Sequence, residues 1–130
     1  MNIYARNILD HYKNPHNKGV LKDATISFKS LNSTCGDQIE VFLKMEGEII
    51  KKINFEGHGC AISIASASIL SEALLEKKAS EVLSLDLSAV QSLLGIEISA
   101  RRHKCALIGL KAIQGALKKR GSLVGEPLVV

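Results

Sequence analysis

Aromatic side chains are scarce in this sequence. Its 130 residues include no tryptophan, two tyrosines and three phenylalanines, so aromatic residues make up only 4%. Proteins that bind single-stranded nucleic acids stack the bases on aromatic side chains, and this chain has few to offer. The net charge of +4 would tolerate an anionic partner but is ordinary for a soluble domain. The composition therefore argues against a nucleic-acid partner.

Long apolar runs are also missing. No uninterrupted run approaches the roughly 20 apolar residues that a membrane-spanning helix needs, and residues 1–6 lack the apolar core of a signal peptide. These absences predict a cytoplasmic protein without a membrane partner. Because 46% of the residues are apolar, the chain can bury one core, and we expect a single domain over residues 1–130.

Cysteine is too rare for a disulfide framework. The chain has three cysteines, Cys35, Cys60 and Cys105, which is an odd number, and disulfides are uncommon in a reducing compartment. It contains no Cys-x-x-Cys pair. Spacing alone therefore leaves two interpretations open: a joint metal or catalytic site, or three separate buried thiols.

Alternating apolar residues in the first half predict strands. Between residues 38 and 45, Ile39, Val41, Leu43 and Met45 alternate with polar or outward-facing positions. Shorter strand-like segments lie on either side, at about 24–33 and 49–55. Three strands joined by short turns predict an antiparallel meander with one covered side.

The chain after Cys60 has helical periodicity. We expect helices over residues 61 to about 77, around Ser80, from Asp86 or Ser88 to a stop at Gly95, and from Cys105 onward. The tail from Gly121 is predicted to be a loosely attached end. Strands followed by helices predict an α+β fold, in which helices cover one face of a three-stranded antiparallel sheet.

Each cysteine lies at the end of a predicted element. Cys60 follows two glycines at a helix N-terminus, where unpaired N–H groups favour the thiolate, and Cys105 begins the last helix. Cys35 and Asp37 are two residues apart, so an extended backbone directs both side chains the same way. Thiolates and a carboxylate are ligands for zinc or iron. This placement favours a joint metal site over three separate cysteines.

Four segments resemble the signature blocks of the IscU/NifU-type iron–sulfur cluster assembly scaffolds. They occur in the family's order over nearly the whole chain, at residues 10–15, 34–37, 57–63 and 102–105. The resemblance implies an IscU/SufE-like sandwich that acts as a scaffold rather than as an enzyme in the strict sense. Such a scaffold receives sulfur from a cysteine desulfurase, takes iron, assembles a [2Fe-2S] cluster and transfers it to apo-proteins.

The same resemblance implies which residues hold the cluster. Cys35, Cys60 and Cys105 would bind it, and Asp37 would be a ligand or would tune its release. Zinc could occupy the same site, and the protein would be a monomer or a weak dimer.

Two departures from the scaffold pattern concern the third cysteine. In the branch served by a dedicated Hsp70 chaperone, a histidine directly precedes that cysteine and a Leu-Pro-Pro-Val-Lys segment lies just upstream. Here Lys104 precedes Cys105, His103 is one residue further back, and residues 96–101 contain no proline. We therefore do not expect hand-off through that chaperone.

Arg102 and Lys104 look more like the SufU branch, whose members resemble zinc-bound sulfur acceptors. That branch usually carries an extra segment between its second and third cysteines, and the 44 residues between Cys60 and Cys105 leave no room for one. The sequence thus falls between the two branches. Its resemblance to the SufU branch implies an alternative function, a zinc-dependent sulfurtransferase with Cys35 as the persulfide acceptor.

The sequence leaves two interpretations of His103 open. His103 is either a metal ligand that replaces Asp37 when that side chain swings out, or a residue at the surface that supports the site. His11 and His16 are predicted to be structural members of the N-terminal block.

Overall fold

The computed structural model describes residues 2–33, 36–119 and 128–129. Helices and strands follow one another as α1 (Ile3–Lys13), β1 (Ile26–Asn32), β2 (Asp37–Glu46), β3 (Ile49–His58), α2 (Ala61–Ala73), α3 (Ala79–Leu83), α4 (Leu87–Leu94), a 3-10 turn (Ala100–Arg102), α5 (His103–Lys119) and β4 (Leu128–Val129). Within these described residues, no helix is both long enough and apolar enough to cross a membrane.

The sheet has the strand order β3-β2-β1-β4. β2 pairs antiparallel with both β1 and β3, which confirms the predicted three-stranded meander. Leu128 and Val129, in the tail predicted to be loosely attached, instead pair parallel with Ser30 and Leu31 of β1. The rest of the tail, residues 120–127 and 130, lies outside the described residues.

Helices cover one face of this sheet, so the predicted α+β class is confirmed. Ile39, Val41 and Leu43 of β2 are buried on that face, as their alternation predicts. A register shift between Lys44 and Met45 ends the alternation, and Met45 is only partly buried. α5 packs on β1 and β2, whereas α2 packs on β3 and α5.

Small residues bring α2 and α5 close together. Ser63, Ser66 and Ala67 of α2 are buried. A Cβ atom at Gly109 of α5 would lie only 3.1 Å from Ala67 Cα, so only glycine permits this approach without a shift. The close packing places the N-terminal ends of the two helices, and the cysteines on them, in one region.

α2 ends at Ala73 rather than near Lys77 as predicted, because the backbone there pairs with β3. The Glu76 N–H donates to Ile50 O at 2.8 Å, and the Ile50 N–H donates to Lys77 O at 3.1 Å. Glu76 also has a positive φ of 68°, which does not continue a helix. Tertiary hydrogen bonds therefore replace the last predicted helical turn.

Two other helix boundaries follow their local signals. The Asp86 side chain accepts a hydrogen bond from the Ala89 N–H at the start of α4, and Gly95 ends that helix in the left-handed conformation with φ of 78°. α5 begins at His103 directly after the 3-10 turn, two residues before the predicted start. Cys105 therefore lies in its first turn.

Candidate metal centre

Asp37 projects a carboxylate from the start of β2 into the interior. Asp37 pairs with Asn32 of the neighbouring strand β1, and only 5% of its surface is exposed. Its Oδ2 accepts a hydrogen bond from the Ser63 hydroxyl at 2.7 Å. This bond joins the sheet to the first turn of α2 and offsets part of the cost of burying the carboxylate.

Cys60 is the N-cap residue of α2, as its position after the two glycines predicts. The Cys60 Sγ lies 3.4 Å from the Ser63 Oγ. Partial burial opposes ionisation of the thiol, but hydrogen bonds from Ser63 and from the backbone of Ser63 and Ile62 outweigh it, so the pKa of Cys60 is lowered. Cys60 is therefore easier to deprotonate than an ordinary cysteine.

Cys105 is fully buried in the first turn of α5. Burial raises the pKa of its thiol to about 12, and the neighbouring Cys60 and Asp37 act in the same direction. A hydrogen bond from Arg102 opposes the rise. The Asn32 amide nitrogen lies 3.9 Å from the Cys105 sulfur. Cys105 thus needs a strong electrostatic partner, such as a metal cation, to become a thiolate at neutral pH.

Asp37, Cys60 and Cys105 converge. One carboxylate oxygen and the two sulfurs all lie within 4.8 Å of one another, although β2, α2 and α5 are remote in sequence. Tetrahedral zinc with Zn–S bonds of about 2.3 Å places two sulfur ligands about 3.8 Å apart. A small contraction would therefore fit these donors to zinc or to iron, both of which accept thiolates with a carboxylate.

A model of the NifU-like N terminal domain family matches residues 3–122. This chain belongs to that family. The match spans nearly all of the sequence and confirms the resemblance stated above.

The relatives of this NifU-like domain carry two kinds of name. It is 37% identical to the zinc-dependent sulfurtransferase SufU of Bacillus subtilis over 92% of each chain. It is also 33% identical to the iron–sulfur cluster assembly scaffold protein IscU of Thermotoga maritima, over 90% of this chain and 94% of the relative. The SufU-like features of the sequence and its scaffold-like blocks therefore both have counterparts.

Two solved structures resemble this NifU-like domain. One is a cluster assembly scaffold protein for the SUF system from Fervidobacterium islandicum, with a TM-score of 0.70, 26% identity and coverage of 90% of this chain and 96% of that chain. The other is a nitrogen-fixing NifU-like protein from Brucella abortus, with a TM-score of 0.76, coverage of 94% and 96%, and 19% identity, which supports the fold alone.

The two other predicted site residues of the NifU-like domain are Cys35 and His103. Cys35 is outside the described residues, so its role stays a prediction. The His103 Nε2 lies 2.9 Å from the Ile98 carbonyl oxygen, and His103 does not belong to the Asp37, Cys60 and Cys105 cluster that the described residues form. Its hydrogen bond holds the connection before α5.

Sequence reasoning missed Ser63 as a site residue. Ser63 is completely buried, and its hydroxyl lies against both Asp37 and Cys60. Its position three residues after Cys60, on the same side of a helix, was the available signal. Gly59 leaves the room for this contact, because a Cβ there would lie 2.9 Å from Ser63 Cβ and 3.1 Å from Asp37 Cγ.

Ser63→Ala is expected to weaken zinc binding by about 10–100-fold, the usual effect of losing a group that orients a metal ligand. The substitution removes the hydroxyl that donates to Asp37 and contacts Cys60. Competition between the protein and a chromophoric chelator measures the change in affinity.

Ser66→Ala is the matched control for Ser63→Ala. Ser66 is equally buried one turn later on α2, but its hydroxyl donates to the Ser63 carbonyl instead of to a proposed ligand. Its zinc affinity should equal that of the wild type. Equal affinities in both serine variants would show that the hydroxyl of Ser63 does not orient the metal ligands.

Proposed function

We propose that this chain is a scaffold for iron–sulfur cluster assembly. It accepts sulfur from a cysteine desulfurase, takes iron, assembles a [2Fe-2S] cluster on Cys35, Asp37, Cys60 and Cys105, and transfers the cluster to apo-proteins. The observation that carries the proposal is the convergence of Asp37, Cys60 and Cys105. Thiolates are the usual protein ligands of such clusters.

Sulfur transfer needs one nucleophilic thiolate. In the proposed step, the Cys35 thiolate attacks the terminal sulfur of the desulfurase persulfide, so that one S–S bond breaks, another forms, and the desulfurase recovers its thiolate. Two electrons from an external thiol or a reduced iron–sulfur protein then convert each transferred sulfur to sulfide. Cys60 and Cys105 bind the incoming iron.

The ligand set suits a cargo that must leave again. Asp37 offers a hard oxygen donor among soft sulfur donors, and Cys60 is only partly buried. Because Asp37 binds iron less strongly than a thiolate does, its bond to the cluster is the easiest to replace. Because Cys60 is partly exposed, the ligands of an acceptor protein can approach the cluster there. Asp37 is therefore the proposed point of release.

A zinc-dependent sulfurtransferase is the second candidate, and two observations favour it. The relative that is 37% identical over 92% of each chain bears that name. Arg102 also acts to lower the pKa of the Cys105 thiol, and a cation beside a thiolate stabilises that thiolate when its bond to a metal is released. Bound zinc would keep the cysteines deprotonated, and Cys35 would accept the persulfide sulfur.

One anaerobic experiment separates the two candidates. The purified protein is incubated with a cysteine desulfurase, cysteine, ferrous iron and a dithiol reductant. A scaffold should develop visible charge-transfer absorption and then activate an apo-ferredoxin. A sulfurtransferase should instead keep its zinc, form no cluster and increase desulfurase turnover. In a parallel incubation without the dithiol, which would reduce a persulfide, it should carry a persulfide on Cys35, as measured by mass spectrometry.

Cys35→Ser is the informative variant in this experiment. It should abolish both the persulfide and the increased turnover, because the acceptor thiolate is missing. Absence of both cluster formation and stimulated turnover with the folded wild-type protein would refute both candidates.

A further inference from the structure

A second group of metal-ligand side chains lies beside the C-terminal half of α2, away from Cys60. His11 is on α1, His16 is in the loop that follows α1, and Glu72 is near the end of α2. One ligand atom from each lies within 4.8 Å of the others. Glu72 is twelve residues beyond Cys60, which corresponds to about 18 Å along a helix, so this group is separate from the cysteine centre.

A buried serine fixes both histidines. The Ser68 Oγ lies 2.7 Å from the Nδ1 of His11 and accepts a hydrogen bond from the His16 backbone N–H at 2.8 Å. The two imidazole rings are 4.5 Å apart, measured between centroids. The Nδ1 of His16 contacts the Oε1 of Glu72. Ser68 thus holds the His11 ring and the His16 backbone, while Glu72 contacts the His16 ring.

We propose that His11, His16 and Glu72 bind a divalent transition-metal ion such as zinc, at a second site independent of the cysteine centre. Two imidazoles and one carboxylate are a common ligand set for zinc and related ions. A histidine ligand ordinarily has its other ring nitrogen held by a hydrogen bond, which is what the Ser68 hydroxyl supplies to His11.

The site is open to solvent on one side. The side chains of His16 and Glu72 are 54% and 48% exposed, so an ion can enter without opening the core. Ser68, in contrast, is completely buried and anchors the base of the site. The group is thus anchored at the buried Ser68 and accessible to solvent at His16 and Glu72.

A bound ion would connect parts of the chain that are far apart in sequence. His16 and Glu72 are 56 positions apart, and the ion would attach α1 and its following loop to α2. Without the ion, the same segments are joined by the contact between His16 and Glu72 and by the Ser68 hydrogen bonds. Metal binding should therefore stabilise the N-terminal helix against local opening.

Zinc titration of the full chain tests this site. Calorimetry on protein already carrying one zinc should reveal one further equivalent, and ¹H–¹⁵N spectra should show shifts of the ring resonances of both His11 and His16. His16→Ala and Glu72→Gln should each lower the affinity for that equivalent at least about 100-fold, because losing only an orienting partner costs about 10–100-fold. Both side chains are about half exposed, so these variants should fold normally.

Glu76→Gln is the matched control, since Glu76 is an exposed carboxylate four residues later that pairs with Lys51. It should retain the second equivalent. The proposal is overturned if the wild type binds no further zinc, if both test variants bind as much as the wild type, or if the control loses as much as they do. The test compares the second zinc equivalent of the wild type with that of each variant. Its outcome therefore does not depend on cluster assembly or sulfur transfer.

Discussion

Cys105→Ser is expected to remove tightly bound zinc while leaving the fold intact. Cys105 contributes the buried sulfur of α5 to the proposed centre, and a serine hydroxyl is a poor ligand for soft or borderline metals. Loss of a direct ligand should lower zinc affinity by more than the about 100-fold seen for orienting partners. Zinc content after anaerobic purification, followed by chelator competition, measures the effect.

Ala106→Ser controls for placing a serine in the first turns of α5. Ala106 is as buried as Cys105 and follows it on α5, so the substitution introduces a comparable buried hydroxyl without removing a proposed ligand. It should lose some stability but keep its zinc. If Cys105→Ser, combined with His16→Ala to remove the second proposed site, retained one zinc per chain with the affinity of His16→Ala alone, Cys105 would not be a ligand.

Asp37→Ala is expected to slow the release of a reconstituted [2Fe-2S] cluster by about tenfold or more. Loss of a group that orients a metal ligand changes metal affinity or activity by about 10–100-fold, which sets the scale of this expectation. The carboxylate is the hard donor among sulfur ligands and the proposed point of release. Following the absorption of an apo-ferredoxin as it gains the cluster gives the transfer rate. The variant should also lose the Ser63 hydrogen bond that anchors the carboxylate.

Asp23→Ala is the control for the loss of an aspartate. Asp23 is exposed and pairs with Lys44, seven residues along β2 from Asp37, so its removal should leave the transfer rate unchanged. Unchanged transfer in Asp37→Ala as well would count against Asp37 as the point of release. Faster transfer would mean that the carboxylate retains the cluster instead.

The sequence predicts those parts of the fold that depend on neighbouring residues. The alternation of Ile39, Val41 and Leu43 identifies a half-buried strand, and Gly95 identifies the end of a helix. Cys60 could be placed at a helix N-terminus because two glycines and a run of small residues surround it. These features are local, so no tertiary information is needed to find them.

Features that depend on distant residues were not predictable in the same way. Leu128 and Val129 join the sheet beside β1, but nothing near them in the sequence specifies a parallel partner. α2 ends early because its last predicted turn bonds to Ile50 of β3. Glu72 joins His11 and His16 only because α1 packs along α2. Each feature results from packing between elements rather than from a local pattern.

X-ray absorption at the zinc edge tests the metal centre most directly, on anaerobically purified protein that carries His16→Ala to remove the second proposed site and is loaded with one zinc per chain. The proposed ligands, Cys35, Asp37, Cys60 and Cys105, predict three sulfur atoms at about 2.3 Å and one oxygen at about 2.0–2.2 Å from the metal. A zinc ion surrounded only by nitrogen and oxygen atoms would contradict the proposed centre.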